Sequence, residues 1–203
     1  MIDLETFEYE ILDNLYSEEE KNKNEKMFTN EYFSWYFNGF EGSVSSEYSK
    51  QFLDKLPNIR EYYQMSHHFY IIKDNTTHAN SDHIWFIDDM INRVCKFYKD
   101  YNWKIVRAKA NLQSQVTNSK KEYHNTPHRD LDNDRKHLVI IYYVNDNDGN
   151  TFFFDKNLNI TKTIESKKGR LLVFNGDIYH TGQHPINSKC RIIINTDLVR
   201  DYE

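Results

Sequence analysis

Residues 125–132 read NTPHRDLD, and the conformation given to that octet decides the fold. It sets His128 and Asp130 two positions apart, just ahead of an apolar run. In an extended chain, residues i and i+2 share a face and stand about 6.6 Å apart. Both side chains then reach a single metal ion. A surface turn with ordinary charges produces the same letters, and a chain with nine histidines supplies such pairs by chance. The flanking sequence has to decide.

From Trp103 onward the pattern is one of short strands, expected at 104–113, 137–145, 151–155, 159–165, 170–174 and 190–197. The turn signals NDNDG, DKNLN and SKKG separate them. Many short strands joined by such turns predict a sandwich or jelly roll in which two sheets enclose a central space. Helices come earlier. Ser17 and Glu20 form a capping box that opens a short polar helix. Ile84, Ile87, Ile91, Val94 and Tyr98 recur at helical spacing between Ser81 and Lys99, with Ser81 or Asp82 as N-cap. Further strands are expected at 6–16, at 31–40 ending at Gly39, and at 67–73. The fold class is therefore mainly β with flanking helices, a double-stranded β-helix core at about 104–198 buttressed on one outer face by the N-terminal helices. No boundary divides residues 1–203, so one domain is expected.

Composition narrows the class further. A net charge of −5 argues against a nucleic-acid platform. Hydrophobic content is 38%, yet 15 Tyr and 13 Phe add bulk to a core. No apolar stretch approaches the roughly 20 residues of a spanning helix. The acidic start MIDLETFEYEILDN lacks a signal peptide's basic and apolar blocks. Cys95 and Cys190 lie in no CxxC motif and suit a reducing cytoplasm as small core residues.

The second half of the metal pattern lies about fifty residues on, in RLLVFNGDIYHTGQHPINSKCRIIIN. An apolar strand runs through a Gly-Asp turn into His180, and Arg191 follows eleven positions later. His128, Asp130 and His180 make two imidazoles and one carboxylate, the facial set that holds Fe(II) with open positions. Arg191 at the head of an apolar strand is either a solvated strand end or an inward guanidinium needing a carboxylate partner.

Four blocks, TPHRDLD, HLVIIYYVNDNDGNTFFF, KKGRLLVFNGDIYHTG and CRIIIN, together resemble the Fe(II)- and 2-oxoglutarate-dependent dioxygenases, in their prolyl 4-hydroxylase-like branch. The resemblance covers about residues 104–198; the N-terminal half resembles small microbial and viral members more loosely.

That resemblance places the iron ligands on His128, Asp130 and His180 and the anchor for the distal carboxylate of 2-oxoglutarate on Arg191. Tyr143 matches a tyrosine that bonds the same carboxylate, although a plain core aromatic fits there too; Tyr142 faces the opposite way. Thr151 follows DGNT, where many members have Gly-Gly-x-Thr, with its hydroxyl toward the co-substrate. Asn195, four residues past Arg191, falls near the iron. Asn111 is a candidate for the keto-acid end, where many relatives carry tyrosine. The loop 114–126 is placed to contact substrate, as are Tyr123, Asp132 and Asn133. His124, His137 and His184 are read as surface residues or supports behind the ligands, and His67 and His68 as strand-rim residues.

The implied reaction links oxidative decarboxylation of 2-oxoglutarate by O2 to C–H hydroxylation. A prolyl, peptidyl or free amino-acid substrate comes before nucleic acid. Asp130 favours hydroxylation, since halogenating relatives lack that carboxylate. The rival reading is a non-catalytic jelly-roll module that binds a small ligand or a metal.

Overall fold

The structure is a computed structural model that describes residues 1–38, 55–131 and 136–201. In chain order its elements are β1 (Tyr9–Leu12), α1 (Glu18–Phe28), β2 (Tyr36–Asn38), β3 (Gln64–Lys73), β4 (Thr76–Ala79), α2 (Ile84–Tyr98), β5 (Trp103–Ser114), β6 (Leu138–Tyr143), β7 (Thr151–Phe154), β8 (Ile160–Ile164), β9 (Leu171–Asn175), β10 (Tyr179–Gly182) and β11 (Cys190–Arg200). Among the described residues one sheet runs β1-β9-β6-β11-β5-β3-β2, with β4 pairing β3, and a smaller one runs β10-β7-β8. Neighbouring strands are antiparallel, as in β11 with β5 and β6, and β10 with β7. This is the expected mainly-β jelly-roll core.

Strand parity builds the two cores. On β6, Leu138, Ile140 and Tyr142 point to the helices, whereas Val139, Ile141 and Tyr143 point between the sheets. Strand β9 divides in the same way, Leu171 and Val173 against Leu172 and Phe174. Both faces are covered, so these strands read as unbroken apolar runs. Helix α2 closes the outer face with Phe86, Ile87, Met90, Ile91 and Val94.

The helix and strand ends correct several expectations. The capping box of α1 is present, with Ser17 Oγ accepting from Glu20 N–H at 3.3 Å and Glu20 Oε2 accepting from Ser17 N–H at 2.7 Å. Helix α2 starts later than expected. Its N-cap is His83, without a side-chain cap. Ser81 instead accepts from the His83 N–H and meets His67 Nε2 at 2.7 Å. The strand expected at 6–16 is confined to β1, because Asp3 draws the chain before it into a turn through Thr6 and Phe7. The strand expected at 31–40 is only β2 within the described residues, and Gly39 lies outside them. Strand β3 begins three residues before the expected position 67. Strands β4 and β10 were not expected from the sequence.

Candidate metal and carboxylate site

Within the octet NTPHRDLD, His128 forms an antiparallel bridge with His180. His128 and His180 exchange both backbone hydrogen bonds, at 2.9 and 3.0 Å, as directly opposed antiparallel residues do. Their imidazoles thus stand side by side, with ring centroids 4.9 Å apart. Asp130, two residues along, joins them. One ligand atom from each of the three lies within 4.8 Å of the others.

Hydrogen bonds fix which atoms face inward. His128 Nδ1 lies 3.0 Å from the Thr126 carbonyl and His180 Nδ1 lies 3.2 Å from the Ile178 carbonyl. A carbonyl only accepts, so each Nδ1 carries a proton and each Nε2 is the ring atom aimed at the other ligands. Burial, with His180 beside it, pushes the His128 imidazole down to about 4 and keeps it neutral. Asp130 Oδ1 accepts from Arg107 Nη2 at 2.7 Å and from Asn195 Nδ2 at 2.9 Å. Its Oδ2 is buried with no hydrogen bond, 3.1 Å from His180 Nε2. Burial alone would raise the Asp130 carboxyl, but His180 and Arg107 hold it well below the usual carboxylate range. These two atoms and the His128 nitrogen are near enough to share one cation. The donor set, two nitrogens and one oxygen without thiolate, fits Fe(II).

Arg191 lies at the other end of the pocket, four residues and about 13 Å of strand from Asn195. It is 2% exposed. Its Nε donates to the Gly149 carbonyl at 3.0 Å, Nη1 to Gln113 Oε1 at 2.8 Å and Nη2 to Thr151 Oγ1 at 2.9 Å. Three of five N–H groups are used, which leaves one on each terminal nitrogen. Tyr143 O–H also donates to Thr151 Oγ1, at 2.7 Å. That oxygen accepts twice, so its own proton is free to donate. Burial lowers the Arg191 pKa, with no carboxylate beside it to compensate. Two glycines admit the guanidinium: a Cβ on Gly149 would meet the Gln183 carbonyl at 2.5 Å and Arg191 Cδ at 2.8 Å, and one on Gly182 would meet Arg191 Nη1 at 3.0 Å. The "solvated strand end" reading of Arg191 is excluded by its burial.

Between these ends lies a pocket with about 460 Å³ of empty space, open to solvent on one side. Ile141 and Ile193 give it an apolar patch, and Asn111 lines it with a buried Oδ1 that has no donor. The sites expected at His128, Asp130, His180, Arg191, Thr151, Asn195 and Asn111 all line this one cavity. Tyr143 reaches it through Thr151.

Other expectations fall elsewhere. Tyr123 does not line the pocket; its ring lies under Arg60, 4.4 Å from the guanidinium carbon. Asp132 and Asn133 lie outside the described residues. His124, His137 and His184 are buried rather than at the surface. His184 Nδ1–H donates to the Ser114 carbonyl at 3.0 Å, and burial pushes its pKa down to about 4. His67, expected at a strand rim, is buried too, with Nδ1 2.8 Å from the Ser34 carbonyl. Cys95 is buried, but Cys190 only partly so.

The sequence reading missed a charged cluster behind the ligands. Arg107 bridges Asp130 and Asp197, with Nη2 2.7 Å from one carboxylate and 2.8 Å from the other. Burial, aided by Asp130, pushes Asp197 up to about 7 against the pull of Arg107. Lys109 lines the same wall. The signal lay in RAKANLQ, where Arg107, Lys109, Asn111 and Gln113 alternate with apolar residues and therefore share one face.

Residues 114–196 match the family model for the 2OG-Fe(II) oxygenase superfamily. No curated protein is significantly similar in sequence. Among solved structures, a prolyl hydroxylase from Trichoplax adhaerens, in complex with a hypoxia inducible factor peptide fragment, superposes with TM-score 0.63 at 15% identity. The match covers 98% of this chain and 86% of that one. The viral collagen prolyl hydroxylase of Paramecium Bursaria Chlorella virus-1, in complex with 2OG, gives 0.53 at 13% identity, over 96% and 97%. HygX from Streptomyces hygroscopicus, with nickel and 2-oxoglutarate bound, gives 0.59 at 8% identity, over 98% and 85%. The superfamily's chemistry is that of oxidoreductases using Fe(II), 2-oxoglutarate and O2, and no helix among the described residues is long and apolar enough to cross a membrane. Residues 114–196 are thus similar in sequence to the 2OG-Fe(II) oxygenase superfamily, and the fold of the chain is similar to that of solved prolyl hydroxylases.

Proposed function

We propose that the protein, acting as one unit over residues 1–203, is an Fe(II)- and 2-oxoglutarate-dependent hydroxylase of a prolyl, peptidyl or free amino-acid substrate. The observation that carries this reading is the opposition of two unmet needs in one pocket. At one end, Asp130 Oδ2 is buried 3.1 Å from His180 Nε2, with His128 beside them. At the other, the buried Arg191 has no carboxylate. A ferrous ion and a dicarboxylate meet both.

His128, Asp130 and His180 would hold the metal. When bound, iron and 2-oxoglutarate supply an oxidative decarboxylation that turns O2 into an oxidant for a C–H bond, with succinate and CO2 as co-products. Arg191 binds the distal carboxylate through its two remaining N–H groups, a bidentate charge-assisted pair. Thr151 adds its hydroxyl and is itself fixed by Tyr143. Asn195 and Arg107 hold Asp130 Oδ1, so that Oδ2 is the atom left for the metal. Asn111 is assigned to the keto-acid end. A cytoplasmic location suits the free thiols of Cys95 and Cys190.

The test is spectroscopic. Under anaerobic conditions, Fe(II) with 2-oxoglutarate gives a weak visible charge-transfer band on chelation. The wild-type protein is expected to develop it and His180→Ala is not. A wild-type protein that stays colourless while binding a ligand in the pocket would favour the binding-module reading.

A further inference from the structure

Strand β5 puts four polar side chains on the pocket face, and three have a structural partner or an assigned task. Arg107 joins Asp130 to Asp197, Gln113 accepts from Arg191, and Asn111 faces the co-substrate. Lys109 is the exception. It lines the pocket yet makes no hydrogen bond or ion pair with any described residue. Its register neighbours are Asn195 on β11 and His68 on β3. The ammonium group therefore belongs to the metal end of the pocket, beside the amide that holds Asp130, and away from Arg191.

A partly buried ammonium with no hydrogen-bonding partner is costly. Burial, with the charge of Arg107 adding to it, pushes the Lys109 pKa down to about 8. The carboxylates of Asp130 and Asp197 offset this only in part, and Arg107 takes the side-chain contacts of both. An alkyl side chain would fill this wall at less cost, so the charge has its use with a ligand present. The 2-oxoglutarate molecule leaves that need unmet: its distal carboxylate is taken by Arg191 and its proximal one by the metal. A single compact ammonium matches a single carboxylate; a phosphate dianion would keep half its charge unbalanced, next to Asp130.

We propose that Lys109 is a specificity-determining residue that receives the carboxylate of the primary substrate, and that this substrate is a free amino acid rather than an internal peptide residue. This rests on the hydroxylase reading above. An internal residue has no carboxylate of its own backbone to offer, whereas a free amino acid has one close to the carbon presented to the metal.

The test uses calorimetry on the full chain loaded with Mn(II) and 2-oxoglutarate without oxygen, so that binding is read apart from turnover. The probes are the common L-amino acids and their carboxamides, titrated into wild type, Lys109→Met and Lys109→Arg, each checked for an unchanged melting curve. At least one acid is expected to bind ten-fold or more tightly than its carboxamide. That preference disappears in Lys109→Met and survives in Lys109→Arg, while the Kd for 2-oxoglutarate stays within about three-fold of wild type. Equal binding of acid and carboxamide, or no binding of any acid, overturns the proposal. So does a ten-fold loss of 2-oxoglutarate affinity in Lys109→Met, which would give the lysine to the co-substrate. Should wild type fail to bind 2-oxoglutarate with Mn(II), the hydroxylase reading itself falls.

Discussion

Nε2 of His180 and Oδ2 of Asp130 stand 3.1 Å apart in the buried wall of the pocket. With His128 they bring three ligand atoms within 4.8 Å of one another, a set that a divalent ion can bridge. Metal is thus expected to stabilise the folded chain by mass action.

The first prediction removes one side of that pair. His180→Ala and Asp130→Ala should each lose Fe(II) affinity by 100-fold or more and abolish 2-oxoglutarate-dependent succinate formation. The metal-induced rise in melting temperature should vanish with it. A variant that still shows the full rise would remove that residue from the ligand set.

Arg191→Met should weaken 2-oxoglutarate binding by roughly one hundred-fold, the scale of two lost charge-assisted hydrogen bonds. Metal affinity measured without co-substrate should be unchanged. Lys at this position should recover only part of the loss, because a point charge cannot reproduce the fork that meets Gln113, Thr151 and Gly149 together. Titration of 2-oxoglutarate against metal-loaded protein checks both.

Gly149→Ala tests the cradle. The added methyl would lie 2.5 Å from a main-chain carbonyl, which cannot swing away, and 2.8 Å from the Arg191 stem. The expected result is at least a ten-fold rise in the Kd for 2-oxoglutarate with little change in metal binding.

Acid should destabilise the metal-free protein through His184. Its folded pKa of about 4 lies below the unfolded value of about 6.5, so between those limits the unfolded chain binds more protons. The stability is complete above about pH 6.5 and is lost as pH falls toward 4, by about 3 kcal/mol for this one group. His184→Asn can still donate to the Ser114 carbonyl but does not titrate. Its denaturation free energy should fall less steeply over that window, by urea unfolding at pH 6.5 and 4.5.

Much of the site was legible because a strand repeats every two residues. Arg191 and Asn195 share a face of β11 for that reason, and the apolar run at 138–143 marked a strand covered on both sides, whereas Asp130 joins His128 from a bend just past its bridge. What was not legible depends on partners distant in sequence. The tautomers of His128 and His180 are set by the carbonyls of Thr126 and Ile178, which residue types do not encode. His184 looked like a surface residue until Ser114, seventy positions away, supplied an acceptor. The start of α2 was misplaced because Ser81 binds His67 across the sheet as well as the helix entry. Arg107 and Lys109 share the face of β5 that carries Asn111, but their tasks depend on Asp130 and Asp197, which are distant in sequence.

The two faces of β5 also answer to separate selective pressures. Ala108 and Ala110 are held by close packing, so their replacement disturbs the whole domain. Lys109 and Asn111 line the cavity instead. Descendants of this protein can therefore acquire new substrates by altering a few odd-numbered positions of one strand, while the scaffold that folds them is inherited intact.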